Sequence, residues 1–240
     1  MAMNEPFDWR LSDRRLYAAI AVMFPVIVLI GFAPTYYLKG VFNGPPLPSS
    51  LVHVHGALMT TWIALFITQV YLVESKQVKL HMRLGIFGVA LAPVIAIVGS
   101  MTGIAGAARG ATVPGIPPLS FLMVPLGDMV MFAILFAGAI YYRKKARNHK
   151  RLMLLTVLNF LPPALGRFPF ELAGTPPFFF GVPDILAIIF VVYDARKNGR
   201  VNKVFLAGTL LLIVSHVIRL TQSGTETWIS IATWLTAWAA

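Results

Sequence analysis

Asp128 is the residue whose type and place most demand a chemical explanation. It lies nine residues into an apolar stretch that opens at Leu119, so on a helix it sits about 14 Å from the nearer end, too deep for a short carboxylate to reach water. A charge at such depth is expensive and marks a proton or substrate site, or a structural ion pair. Arg167 lies about 22 Å along a later apolar stretch that starts at Leu152. That is a comparable depth, so it is the expected partner of Asp128 if the two helices touch; Glu171, one turn on, is its alternative partner. Asn159 and Asp184 stand beside Pro162, Pro163 and Pro183, where broken helices leave polar backbone that lines binding cavities.

The five histidines form the second constellation. His53 and His55 open one apolar stretch and point about 200° apart on a helix, so only one of them faces a given site. His55 and His216 fall at similar depth, and His81 and His149 are level with each other at the opposite boundary. Two neutral imidazoles at one height on different helices are what haem ligation between helices requires. The expectation is therefore a haem b held by His55 and His216, with His81 and His149 as an inner site. Asp128 would manage a proton coupled to electron transfer near the quinone pool. The rival reading uses Asp128, Arg167, Asn159 and Asp184 in a transporter or carrier for a small anion or an apolar molecule. A third is a non-catalytic structural subunit of a membrane complex, with other membrane proteins as partners.

Several chemistries are excluded. The chain has no Cys, which removes disulfides, thiolate metal sites and cysteine nucleophiles. No cluster of His and carboxylates has zinc or di-iron spacing, and no Walker loop, dinucleotide fingerprint, nucleophile elbow or HExxH occurs. The last apolar stretch, Val204 to Gln222, holds no Lys for a retinal Schiff base. No catalytic residue or bare metal ion is assigned.

The elements that must position these residues follow from composition. Of 240 residues 58% are apolar and only 12% charged, about half the charge of an average soluble domain, and mean hydropathy is +0.76. The net charge of +11 falls in short clusters between long apolar stretches, the pattern of a bilayer protein rather than of a nucleic-acid binder. Cutting at charged and Pro/Gly-rich breaks leaves seven stretches near the roughly 20 residues a crossing needs: Leu16–Leu38, Leu51–Val73, Leu84–Ala107, Leu119–Tyr142, Leu152–Phe168, Pro177–Tyr193 and Val204–Gln222. The expected fold is an all-α bundle of seven transmembrane helices over 16–222, after an N-terminal tail of residues 1–15. A Trp-rich segment, 223–240, with Trp228, Trp234 and Trp238, is too short to span and is expected to lie on the outer interface.

Sixteen of the twenty Lys and Arg lie in the tail or in the second, fourth and sixth loops, leaving Lys39, Arg109, Arg167 and Arg219. The positive-inside rule then puts the N-terminus in the cytoplasm and, after seven crossings, the C-terminus outside. The basic loops suit anionic lipid headgroups. Gly99 and Gly103 form a GxxxG helix-packing face. His81-Met82-Arg83-Leu84 and His149-Lys150-Arg151-Leu152 echo each other 68 residues apart.

The strings HVHGALMTTW, LHMRLGIFG, PLGDMVMF, HKRLMLL and PPALGR resemble an uncharacterised family of bacterial multi-pass inner-membrane proteins. That resemblance implies a bacterial inner-membrane location and carries no activity with it. In placing His on several spans, the chain is also similar in architecture to bacterial b-type cytochrome membrane proteins.

Overall fold

The computed structural model describes residues 9–113 and 115–237. Helix α1, Trp9–Phe32, runs into a π-helical turn, Ala33–Tyr37. Then follow α2 (Ser50–Glu74), α3 (Val78–Ala108), the short α4 (Pro118–Phe121), α5 (Met123–Tyr141) and α6 (Ala146–Asn159). The single turn α7 (Pro162–Leu165) precedes α8 (Pro176–Asn198), α9 (Lys203–Gln222) and α10 (Glu226–Ala237). No strand occurs among the described residues. The all-helical architecture is as expected. Among the described residues, six helical segments are long and apolar enough to cross a membrane: Leu16–Tyr37, Ser50–Glu74, Val78–Ala108, Pro118–Tyr141, Pro176–Asn198 and Lys203–Gln222.

These six turn large apolar side chains outward. Val22, Val26, Leu29 and Ile30 of α1 and Leu210, Leu211, Val214, Val217 and Ile218 of α9 are exposed, a distribution that fits helices facing lipid. Inside, Phe24, Ile95, Phe132, Leu155, Leu158 and Leu212 are fully buried in one core. Phe132 anchors it, with Trp62 edge-on at 5.1 Å and Phe160 at 4.7 Å between ring centroids.

The expected fifth span is where the structure departs from hydropathy. Instead of one helix over Leu152–Phe168, α6 ends at Asn159 and only the turn α7 follows. Pro162 and Pro163 cause this: neither has an N–H to continue the ladder, and both fit the opening positions of a new helix. Every residue from Leu154 to Pro162 is buried, because α5, α8 and α9 enclose α6 while α1 and α8 hold α7. By contrast Pro183, expected to interrupt the sixth span, is accommodated inside an unbroken α8.

At the termini, residues 9–15 of the expected tail already belong to α1, whereas residues 1–8 lie outside the described residues, as does Trp238. The C-terminal segment forms α10, which caps α3 and α4: Trp228 Nε1 donates to the Leu119 carbonyl at 2.9 Å, and Ala232 is buried with Ala107 and Leu122.

The seam between α1 and α7 depends on Gly31, where a Cβ would overlap the Ala164 backbone. Backbone cannot swing aside as a side chain can. Gly31→Ala is therefore expected to cost about 1–3 kcal/mol by overpacking, while Gly181→Ala, with nothing near its Cβ, leaves stability unchanged or slightly raised. Thermal unfolding of both variants in detergent checks this; equal melting temperatures would show that the seam yields.

Candidate functional site

Interrupting α6 before α7 leaves space between helices, and a cavity of about 620 Å³ occupies it, within the usual 300–1,000 Å³ of small-molecule sites. Its walls come from α1, α2, α3, α5 and the α6–α7 break, with Phe24, Val28, Ile63, Met129 and Phe160 among its apolar lining. Gly99 and Gly103, read above as a packing face, do meet α5 at Met129 and Pro125, and both also line this space. Leu47 and Pro48 of one loop and Arg109, Ala111, Thr112 and Val113 of another also contribute.

The π-helical turn shapes the mouth. Its i→i+5 bond from Leu38 N to Ala33 O, 2.8 Å, carries Thr35, Tyr36 and Tyr37 to the cavity; such bulges recur at functional sites. Tyr37 Oη and Thr60 Oγ1 are hydrogen-bonded at 2.9 Å, and Tyr36 Oη donates to the His53 carbonyl at 3.3 Å. Tyr36 also rests against Gly56 so closely that any Cβ there would displace its ring.

Arg167 lines the cavity, but it does not meet Asp128 or Glu171. Its Nη1 donates to the Pro163 carbonyl at 2.6 Å and its guanidinium lies 4.6 Å from the Phe32 ring centroid. No carboxylate lies within 4 Å of it among the described residues. Arg167 thus presents a positive charge to the cavity, and its other guanidinium donors make no hydrogen bond among the described residues.

Asp128, also on the cavity wall, takes a different partner. Arg219 Nη1 donates to Asp128 Oδ1 at 2.5 Å, and both side chains are about 98% buried. Arg219 Nη2 donates to Ser215 Oγ at 3.0 Å, and the guanidinium lies 5.6 Å from the Phe180 centroid. Gly127 permits the approach, since a Cβ there would overlap the guanidinium. Asn159 Nδ2 donates to the Asp128 carbonyl at 2.9 Å and ties the end of α6 to α5.

His216 packs on the other face of this cluster. Its Nδ1 is hydrogen-bonded to Asp184 Oδ1 at 2.8 Å, and its ring stacks on Phe180 at 4.3 Å. His216 is not among the residues that line the cavity, whereas His55 is, with its Nδ1 buried and without a hydrogen-bond partner among the described residues. The structure therefore gathers the expected site residues into three groups: Arg167 and His55 on the cavity, Asp128 with Asn159 at its wall, and Asp184 with His216 behind. His81 and His149 lie apart, facing each other with ring centroids 6.3 Å apart.

Arg219 is the participant that sequence reasoning missed, having entered only the topology count. Its spacing of three from His216 puts both on one face of α9, which was the available signal. Arg109 and the two tyrosines gave none beyond position. Comparison with known protein families, curated proteins and solved structures finds no match for this chain.

The Asp128–Arg219 pair generates a direct test. Asp128→Asn or Arg219→Gln alone strands the other group in an apolar site, at an expected cost of about 3–5 kcal/mol, and the double variant should recover much of it. Unfolding free energies in detergent measure the cycle. Losses that simply add would contradict a direct pair.

Proposed function

We propose that this chain is a multi-pass membrane protein of the bacterial inner membrane that binds a small amphipathic anion in its cavity, as a carrier or transporter. The observation that carries this reading is Arg167, a cation on the wall of a largely apolar cavity with no carboxylate beside it among the described residues. A guanidinium with open donors is a fork for carboxylate or phosphate oxygens. Arg109 and His55 on the same lining add one positive charge and one ring nitrogen. Asp128 does not cancel that field, because Arg219 already neutralises it. The ligand class that fits is a carboxylate or phosphate ester with an apolar body of moderate size.

The same reading makes α6 with α7 a seventh crossing. One end carries His149, which faces His81 at the start of α3. The other reaches Arg167, which lies over Phe32 at the end of α1 and shares the cavity with His55 at the start of α2. Residues 146–165 span about 30 Å as helix, the thickness of the hydrocarbon. With the basic loops facing the cytoplasm, the cavity opens outward and α10 lies on the outer interface.

A second reading rests on His55, whose buried Nδ1 has no hydrogen-bond partner among the described residues. Haem b is itself an amphipathic dianion. His55 would ligate its iron while Arg109 and Arg167 meet its propionates, and the protein would pass electrons near the quinone pool. A reduced-minus-oxidised spectrum in the α-band region that weakens in His55→Ala separates this reading from a colourless carrier.

Two measurements test the proposal. Decyl phosphate binding to the purified chain, followed calorimetrically, should weaken about tenfold to a hundredfold in Arg167→Gln, the loss of one charge-assisted contact of about 1.5–3 kcal/mol. Unchanged affinity would remove Arg167 from the site. Because the native chain has no Cys, single cysteines report topology cleanly. Gly224→Cys should react with an impermeant maleimide on intact cells and Lys144→Cys only after permeabilisation; the reverse at Gly224 would reduce the crossings to six.

A further inference from the structure

Asp184 and His216 are paired within the apolar spans α8 and α9, and nothing proposed so far uses them: the haem reading rests on His55, and neither residue lines the cavity. His216 Nδ1 lies 2.8 Å from Asp184 Oδ1. A carboxylate only accepts, so Nδ1 carries a proton and Nε2 is the nitrogen that gains or loses one. Nε2 is buried with no hydrogen-bond partner among the described residues. Asp184 keeps 19% of its side chain exposed against 2% for His216, so the pair exchanges its proton through the carboxyl.

The charges around the ring set what it must hold. Helix α9 packs against α5, α6 and α8. From α8 comes Asp184, and from α5 comes Asp128, which feels the charges of both His216 and Arg219. Arg219 itself is three residues on along α9. Helix α6 adds no charge at this depth. Its Arg147, His149, Lys150 and Arg151 precede Leu152 and Leu155, which meet α9 at Gly208, and His216 lies about 12 Å further along the helix. Arg219 is already bound to Asp128, so Asp184 has only His216 to answer its charge. With the ring neutral, the two carboxylates face one guanidinium, and an uncompensated negative charge in an apolar site is costly. A single proton on the His216–Asp184 pair cancels it.

We propose that His216 and Asp184 bind one exchangeable proton within the bundle, and that this proton strengthens anion binding in the cavity. The second half rests on the anion-binding reading above. Asp128 stands on the cavity wall and is electrostatically joined to His216, so a deprotonated pair adds a negative field where the anion binds. Linkage makes the effect mutual: the anion tightens the proton by the same factor as the proton tightens the anion. A monoanion and a proton then load together with no net charge, which makes the carrier proton-coupled. Rising pH strips the pair and weakens binding.

The test uses the full chain in detergent with decyl sulfate as probe, because its headgroup stays a monoanion across about pH 5 to 8, where histidine titrates. His55 also lies on the cavity and also titrates, so His55→Gln is the control. His216→Gln/Asp184→Asn removes the pair without stranding a charge. Wild type and His55→Gln should each lose about tenfold in affinity as pH rises through that range, while the double variant binds equally throughout. In nitrogen NMR spectra, an imidazole resonance absent from the double variant should change protonation state over the same range. That titration with no decyl sulfate bound at any pH supports the proton site and removes the anion reading. Should the double variant fail to fold, His55→Gln is expected to take up protons on binding decyl sulfate, read as heats that differ between buffers of unlike ionisation enthalpy. A ring fixed in one state, a pH dependence that survives in the double variant, or binding by His55→Gln without proton uptake overturns the proposal.

Discussion

The buried contact between Asp128 and Arg219 is the interaction on which the rest of the site depends. Neither charge can be held in hydrocarbon alone, and each is kept by the other. The consequence reaches beyond one bond. Gly127 must lack a side chain for Arg219 to approach, and Asn159 must reach the Asp128 carbonyl, which fixes the end of α6 beside α5. Phe180 contacts both Arg219 and His216, so α8 and α9 are registered by the same cluster. With Asp128 neutralised, the positive charge of Arg167 faces the cavity uncancelled.

The cavity is a product of two backbone irregularities. Pro162 and Pro163 stop α6 and start α7, so the chain at that depth does not fill the space a straight helix would fill. The π-helical turn at Ala33–Tyr37 brings Tyr36 and Tyr37 against Gly56 and Thr60, closing one side of the mouth. Irregular backbone at membrane depth is tolerated only inside protein or along a cavity, and here it occurs at both.

Much of the bundle could be read from sequence because lipid selects apolar side chains directly. Leu16–Leu38 and Val204–Gln222, read from hydropathy, fall within a few residues of spans in the structure. The fifth stretch was harder for the opposite reason: α6 touches protein on nearly every side, and a helix that meets no lipid can carry Arg151, Thr156 and Asn159 in buried positions. The depth of Asp128 was legible from spacing along one helix. Its partner was not, since pairing between helices depends on how each is rotated, and hydropathy does not encode rotation. Hence Arg167, at a comparable depth, was expected where Arg219 is found. The cavity left still less trace, because Gly99 and Gly103 pack against a neighbouring helix and line open space at once, and sequence shows only the first.

The chain released gently from its own membrane into native mass spectrometry tests the central claim most directly. An acidic, amphipathic molecule bound one to one by wild type, and absent from folded Arg167→Gln, is the predicted result. An empty wild-type cavity, or an occupant that Arg167→Gln retains undiminished, would contradict a site built around that guanidinium.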